Sequence, residues 1–260
     1  LYMSKSANIF SLNEKEIINH YEQNYDSIQC ITPNGLITPK NNTVIEYNYL
    51  CQAFYDIVDN LQINHLIQSW HIPLNLRIKL EKPIEKNLLR SHPTEFTHSD
   101  SWFEESAMSV TSLIPVMGET ENNYVEYYEP PLDFKEEWLG PKPSYKDGDG
   151  VVEQYKKIDY IGKKGHLILV DFATLHRSHR TENAGTRISI DTTFLLRRDE
   201  KDIDHPWRHS ERASIDVVTE IGKKNIFFFP DEPSKMNSKV DKRGFKTHSA
   251  NLRIKDLINE

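Results

Sequence analysis

HLILVDFATLHRSHRTENAGTRISIDTTF, residues 166–194, holds the change of pattern that decides the fold. An apolar run starting at His166 ends near Asp171, and a turn rich in histidine follows. TRISIDTTF then alternates: Ile188 and Ile190 fall on one side, Arg187, Ser189 and Asp191 on the other. A period of two marks a strand with one apolar face. The apolar side is expected to pack outward against other elements, which leaves the polar row to line a cavity. A buried polar row is costly unless it meets partners. An arginine there calls for an anion, because its planar fork matches a carboxylate through two parallel hydrogen bonds. Ser189 adds a hydroxyl donor for the same anion.

Strand patterns recur upstream in NLRIKLE (75–81), SAMSVTSLIPV (106–116) and YVEYYE (124–129). Clusters of Gly, Pro, Asn and Asp separate them, with no long helix between. That predicts an antiparallel sandwich or barrel rather than a parallel α/β sheet. Before them the period is helical. Asn13 is placed to cap a helix through EKEIINHYEQ, with Glu16 completing a capping box. A longer pattern from about Val44 to Trp70 puts Tyr47, Leu50, Cys51, Phe54, Ile57, Val58, Leu61 and Leu66 largely on one face. The expected fold is mainly β with flanking N-terminal helices and a jelly-roll or cupin-like core. With 260 residues it reads as a single domain: a helical part at 1–72, a β core at about 73–200, and a C-terminal extension at 201–260. Between Gly118 and Gly150 nine acidic residues stand against three lysines, in an insertion that is either a lid or a solvated loop.

Composition narrows the partners. The formal net charge is −7, and no basic stripe is present, so no nucleic-acid partner is expected. The tail from Lys235 to Lys255 mixes both signs and reads as solvated surface. No apolar run approaches the roughly 20 residues that cross a bilayer, and no membrane partner is expected. LYMSKSANIFSLNEKE (1–16) has no signal-type apolar stretch, so the expected location is cytoplasmic. Cys30 and Cys51 lack metal-type spacing and fit reduced thiols, with a single disulfide left open. The partner that remains is a small-molecule substrate.

THSDSW (97–102) carries the chemistry. On a strand, residues two apart point to one face, so His98 and Asp100 are expected to aim together. An imidazole and a carboxylate are two of the three ligands in a 2-His-1-carboxylate facial triad. Alone, H-x-D is common. Three histidines then compete for the third place: His166, His176 and His179.

The combination is more specific. H-x-D, a long gap, then a histidine followed eleven residues later by R-x-S resembles the Fe(II)/2-oxoglutarate dioxygenases. Asp171, Phe172, Leu175, His176, Asn183, Arg187, Ser189 and Asp191 look like the phytanoyl-CoA-dioxygenase-like branch, over about residues 75–198. The resemblance implies a double-stranded β-helix and Fe(II) on His98, Asp100 and His176, His176 having the spacing that the family commonly shows. It implies that 2-oxoglutarate chelates the metal, with its far carboxylate on Arg187 and Ser189. With O2, a substrate C–H bond is then oxidised and succinate and CO2 are released. Many relatives carry a second arginine where Thr193 stands here. Related halogenases replace the carboxylate by a small residue, so Asp100 favours hydroxylation. The expected substrate is small and polar: an amino acid, an amino sugar or a natural-product intermediate. Trp102, Asn123 and Tyr124 are candidate substrate contacts. Alternatives stay open. Arg187 would be structural if it paired with Asp191. A cupin-type metal isomerase, or a dioxygenase without 2-oxoglutarate, needs the histidine-rich barrel but has no use for Arg187 and Ser189. A non-catalytic jelly-roll binding module needs no convergent triad.

Overall fold

A computed structural model describes residues 12–27, 31, 34–37, 44–71, 74–102, 109–197 and short strands within 212–256. The N-terminal cap is in place. Helix α1 spans Glu14–Asn24. Asn13 Oδ1 accepts the Glu16 N–H at 3.0 Å, and the Glu16 carboxylate accepts the Asn13 N–H at 2.8 Å. Strand β1 (Leu36–Ile37) and helix α2 (Val44–Asn60) follow. The helix expected to reach Trp70 therefore stops at Asn60. Gln62 turns the chain with φ +58°, and Ile67–His71 form strand β2. Pairing with a later strand captures a segment whose apolar spacing alone reads as helix.

The remaining elements are β3 (Asn75–Lys79), α3 (Glu85–Leu88), β4 (Ser109–Gly118), β5 (Asn123–Glu129), α4 (Asp149–Val152), β6 (Lys156–Lys157), β7 (Ile168–Asp171), β8 (Leu175–Arg180) and β9 (Arg187–Leu196). Beyond them, β10 (Arg212–Ser214) pairs with β2. β11 (Asn225–Phe228) pairs with β14 (Arg253–Asp256), and β12 (Lys239–Val240) with β13 (Lys246–Thr247). Residues 106–108 of the expected strand SAMSVTSLIPV lie outside the described residues, as does Cys30. The histidine-rich segment is not a turn. Only residues 172–174 turn, and Leu175–Arg180 is a strand.

All the pairings are antiparallel. In the larger sheet, β9 is central, flanked by β3 and β2 on one side and by β4 then β7 on the other. The smaller sheet runs β6-β5-β8. The helices cover the apolar face of the larger one. Tyr47, Cys51, Phe54 and Val58 of α2 pack on Ile114 and Phe194, while Tyr21 packs in a cluster with Ile78 and Ile188. Exposure of Ile57 (39%), Leu61 (51%) and Leu66 (50%) shows that the apolar stripe of the helix is narrower than its sequence suggests. Cys51 is a free thiol in this core, pushed up to about 11 chiefly by burial. Leu113, Tyr127 and Ile168 pack together where the two sheets face each other. The polar side of β9 thus looks inward, as its alternation predicts. Gly118 permits the sharp exit from β4: its φ is +82°, and a Cβ there would lie 2.0 Å from the Thr186 carbonyl oxygen. Among the described residues no helix is long and apolar enough to cross a membrane.

Candidate metal site

His98 and Asp100 converge, but not by sharing a strand. His98 forms an isolated antiparallel bridge with His176, N–H to carbonyl at 3.0 and 2.8 Å. Asp100 opens a short 3-10 turn, Asp100–Trp102. The bridge sets His98 beside His176, and the turn swings Asp100 back under both. Ser99 holds the turn by donating to the Phe172 carbonyl at 2.6 Å, just before β8. One donor atom from each of His98, Asp100 and His176 lies within 4.8 Å of the others. Asp100 Oδ1 is 3.8 Å from His98 Nε2 and 3.5 Å from His176 Nε2.

Neighbours orient these groups. His98 Nδ1 lies 2.7 Å from the Phe96 carbonyl oxygen, which fixes the proton there and leaves Nε2 as the donor toward a metal. Asp100 Oδ2 accepts the Thr111 hydroxyl at 2.7 Å, so Oδ1 alone faces the two imidazoles. Burial, then the proximity of His176, pushes His98 down to about 3 and keeps it neutral. Burial alone would raise Asp100, but His176, His98, Thr111 and Arg77 outweigh it and hold the carboxylate ionised. A neutral imidazole and an ionised carboxylate beside a second imidazole suit a divalent first-row metal.

Part of the acidic insertion packs beside the candidate ligands, while Asp133, Glu136, Glu137, Asp147 and Asp149 stay exposed. Tyr145 stacks on His98, ring centroids 4.0 Å apart and planes at 15°. Trp102 is 1% exposed, packs with Tyr145 and Leu175, and donates its indole N–H to the Trp138 carbonyl at 2.8 Å. Gly148 permits this contact, since a Cβ would lie 2.1 Å from the Trp102 ring. Trp102 therefore clamps the insertion to the metal turn instead of walling a substrate cavity.

The other candidates separate by strand face. On β8, His176 and Ser178 share the inner side, while Arg177 and His179 point out. His179 Nδ1 sits 3.5 Å from Glu126, whose other oxygen takes the Arg177 Nε–H at 2.6 Å. Tyr124 lies on that outer face beside His179, ring centroids 5.2 Å apart, away from the triad. His166 is exposed and has no place in the cluster. Asn123 is fully buried, but its amide braces the chain by donating to the Lys79 and Gly185 carbonyls at 2.9 and 2.8 Å. Asn123 and Tyr124 do not line the site as expected.

Among the described residues, the cations that face inward beside β9 reach carboxylates, with one exception. Asp191 does not pair with Arg187. Its carboxylate takes Arg77 Nε at 2.8 Å, Arg77 Nη2 at 3.0 Å and Asn75 Nδ2 at 2.6 Å. Lys79 and Arg180 share Glu95, at 3.1 and 3.3 Å. Arg187 is 1% exposed, yet its Nε is buried with no hydrogen-bond partner among the described residues. The Ser189 hydroxyl, on the same face, is equally unpartnered and buried. Burial lowers Arg187 to about 10, so it remains a cation at neutral pH.

No family model matches the chain, and neither does any curated protein. Two solved structures from nogalamycin biosynthesis are similar in part. The non-heme alpha-ketoglutarate-dependent epimerase SnoN is 12% identical, with a TM-score of 0.35 over 62% of this chain and 65% of its own. The chain thus spans just under two thirds of the epimerase. The non-heme alpha-ketoglutarate-dependent carbocyclase SnoK is 12% identical, with a TM-score of 0.42 over 74% of this chain and 82% of its own.

Proposed function

We propose that this chain is an Fe(II)- and 2-oxoglutarate-dependent oxygenase on a double-stranded β-helix core, hydroxylating an unactivated C–H bond of a small polar substrate. The observation that carries this reading is the solitary buried guanidinium of Arg187. A buried charge without a partner is strongly unfavourable. Every other described cation on that face has its carboxylate, so Arg187 and Ser189 are left for an anion from outside. A metal isomerase or a simple binding module has no use for that pair. The distal carboxylate of 2-oxoglutarate would suit that pair, leaving its keto-acid end for a metal held by the triad.

His98, Asp100 and His176 would hold the iron. Bound there with 2-oxoglutarate, iron(II) supplies oxidation by O2, with succinate and CO2 as co-products. The residues themselves orient and exclude. Thr111 keeps Asp100 presenting one oxygen, the Phe96 carbonyl keeps the His98 proton on Nδ1, and Tyr145 with Trp102 shields one side from water. Asp100 supplies a carboxylate ligand where a halogenase keeps a small residue, which supports hydroxylation over halogenation.

The test is anaerobic addition of Fe(II) and 2-oxoglutarate, followed by the visible metal-to-ligand charge-transfer band. The band should form in the wild type and vanish in Arg187→Ala, while metal binding persists. His176→Ala should lose iron and His179→Ala retain it. Iron-loaded protein without the band would overturn the reading.

A further inference from the structure

The segment from Trp138 to Gly148 ties down the loop that carries His98 and Asp100, and one of its side chains lies against a candidate ligand itself. The Tyr145 N–H donates to the Ser91 carbonyl at 2.9 Å, and the Lys142 N–H to the Trp102 carbonyl at 2.9 Å. The Trp102 indole returns a bond to the Trp138 carbonyl at 2.8 Å. His92 Nε2 lies 3.1 Å from the Lys142 carbonyl oxygen, so its proton is placed there. Lys146 Nζ stands 5.3 Å from the centroid of the Phe96 ring. The Phe96 carbonyl is the group that holds His98 Nδ1. Both ends of the loop, Ser91 and Trp102, are thus fastened to the insertion. Tyr145 opens a 3-10 turn, Tyr145–Gly148, whose start is closed by a capping box. Asp147 accepts the Ser144 N–H at 2.8 Å and the Ser144 hydroxyl at 2.9 Å. The turn delivers the Tyr145 ring, 4% exposed, onto His98.

The consequence for His98 is geometric. An imidazole turns about two side-chain bonds, and a metal needs Nε2 held toward Asp100 and His176. The bond to the Phe96 carbonyl fixes one edge of the ring. Tyr145 fixes its plane, lying face to face with it at 4.0 Å and 15°. The His176 ring stands 4.5 Å away at 50°. His92 meets the Tyr145 ring at 4.9 Å with planes at 85° and braces it in turn. A His98 ring rotated out of this plane would drive its edge into the face of Tyr145. We propose that Tyr145 is a positioning residue for His98, and that seating of the insertion is linked through it to metal binding. Seated, the insertion holds His98 ready to coordinate. Unseated, it leaves the metal to order that side chain itself. The proposal rests on the reading of the triad as a metal site and does not need 2-oxoglutarate. Ordering one side chain in advance is worth about 3- to 10-fold in affinity. The link is reciprocal: if the unseated form binds metal more weakly by that factor, saturating metal makes unseating rarer by the same factor.

Tyr145→Phe keeps the stacked ring, and Tyr145→Leu fills the space without a flat face. Affinity for Fe(II) alone is measured under nitrogen against a competing chelator. It should stay within about twofold of wild type in Tyr145→Phe and fall about 3- to 10-fold in Tyr145→Leu. A second measurement needs no variant. In the wild type, hydrogen exchange read by mass spectrometry should slow about 3- to 10-fold over residues 138–148 when Fe(II) saturates the protein. Exchange at the end of α2, where the Leu61 N–H is bonded to the Ile57 carbonyl, should not change. Wild type that takes up no Fe(II) overturns the metal reading itself. If wild type binds Fe(II), the link alone is overturned by Tyr145→Leu binding as tightly as wild type, or by Tyr145→Phe binding as weakly as Tyr145→Leu. Exchange over 138–148 that is the same with and without Fe(II) overturns it too, even if Tyr145→Leu does not fold.

Discussion

Replacing Arg187 with methionine separates what the guanidinium does for the fold from what it does for a ligand. The side chain is 1% exposed, and burial brings it from 12.5 to about 10. At about 1.4 kcal/mol per unit, the charged group destabilises the folded state by about 3 kcal/mol at neutral pH. The sign follows from the direction of the shift. A base lowered on folding is charged in both states below pH 10, so the cost is constant there. It disappears only as pH rises from about 10 toward 12.5. Methionine keeps much of the stem and removes the charge. Without ligand, Arg187→Met should be more stable than wild type by roughly 1–3 kcal/mol. For a chain of this size, each kcal/mol moves the melting temperature by about 2–4 °C. The ligand response is opposite. Under nitrogen with Fe(II), 2-oxoglutarate at a hundredfold excess over its Kd should stabilise wild type by about 2.7 kcal/mol and the variant hardly at all. Thermal melts of both proteins, with and without 2-oxoglutarate, in a buffer free of carboxylate and phosphate, decide it. A ligand-free variant melting several degrees below wild type would refute the reasoning, because Arg187 would then be holding the fold through a partner.

Two further outcomes follow from neighbouring groups. Thr111→Val removes the hydroxyl from Asp100 Oδ2 without much change of shape. Metal affinity, read by titration with a competing chelator, should fall about 10- to 100-fold and recover in Thr111→Ser. Lys79 is lowered by burial, against the pull of Glu95, from 10.5 to about 7. Charge on Lys79 is thus costly in the folded state despite its pairing with Glu95, and that cost is relieved as pH rises through 7. Urea denaturation should show the wild type gaining about 2 kcal/mol relative to Lys79→Met between pH 7 and 9. A difference that does not change with pH would contradict it.

Much of this was open to reading along the chain, because it depends on local period. The two faces of β9 and the capping box at Asn13 and Glu16 are visible there; so are the candidate ligands His98, Asp100 and His176, although the first two meet through a bridge and a turn and not through the shared strand face that their spacing suggests. Residues one or two apart on a strand have their relative directions set by backbone geometry alone. The failures have a common cause. The helix expected through Trp70 gave way to β2, because pairing with β9 competes with periodicity and is invisible without the partner. Asp191 was a natural candidate for Arg187, four residues away, yet its carboxylate goes to Arg77, 114 residues distant in sequence. His176 and His179 are alike in sequence, and only the register of β8 against β5 turns one inward and the other toward Glu126. Thr111 and Tyr145 reach Asp100 and His98 from two separate elements that carry no motif. By itself the sequence determined which donors exist and which share a face, since those properties follow from the peptide geometry of neighbours. Which charge meets which partner, and which is left without one, was decided only by tertiary structure, because pairing of buried charges depends on which distant strands come to lie side by side.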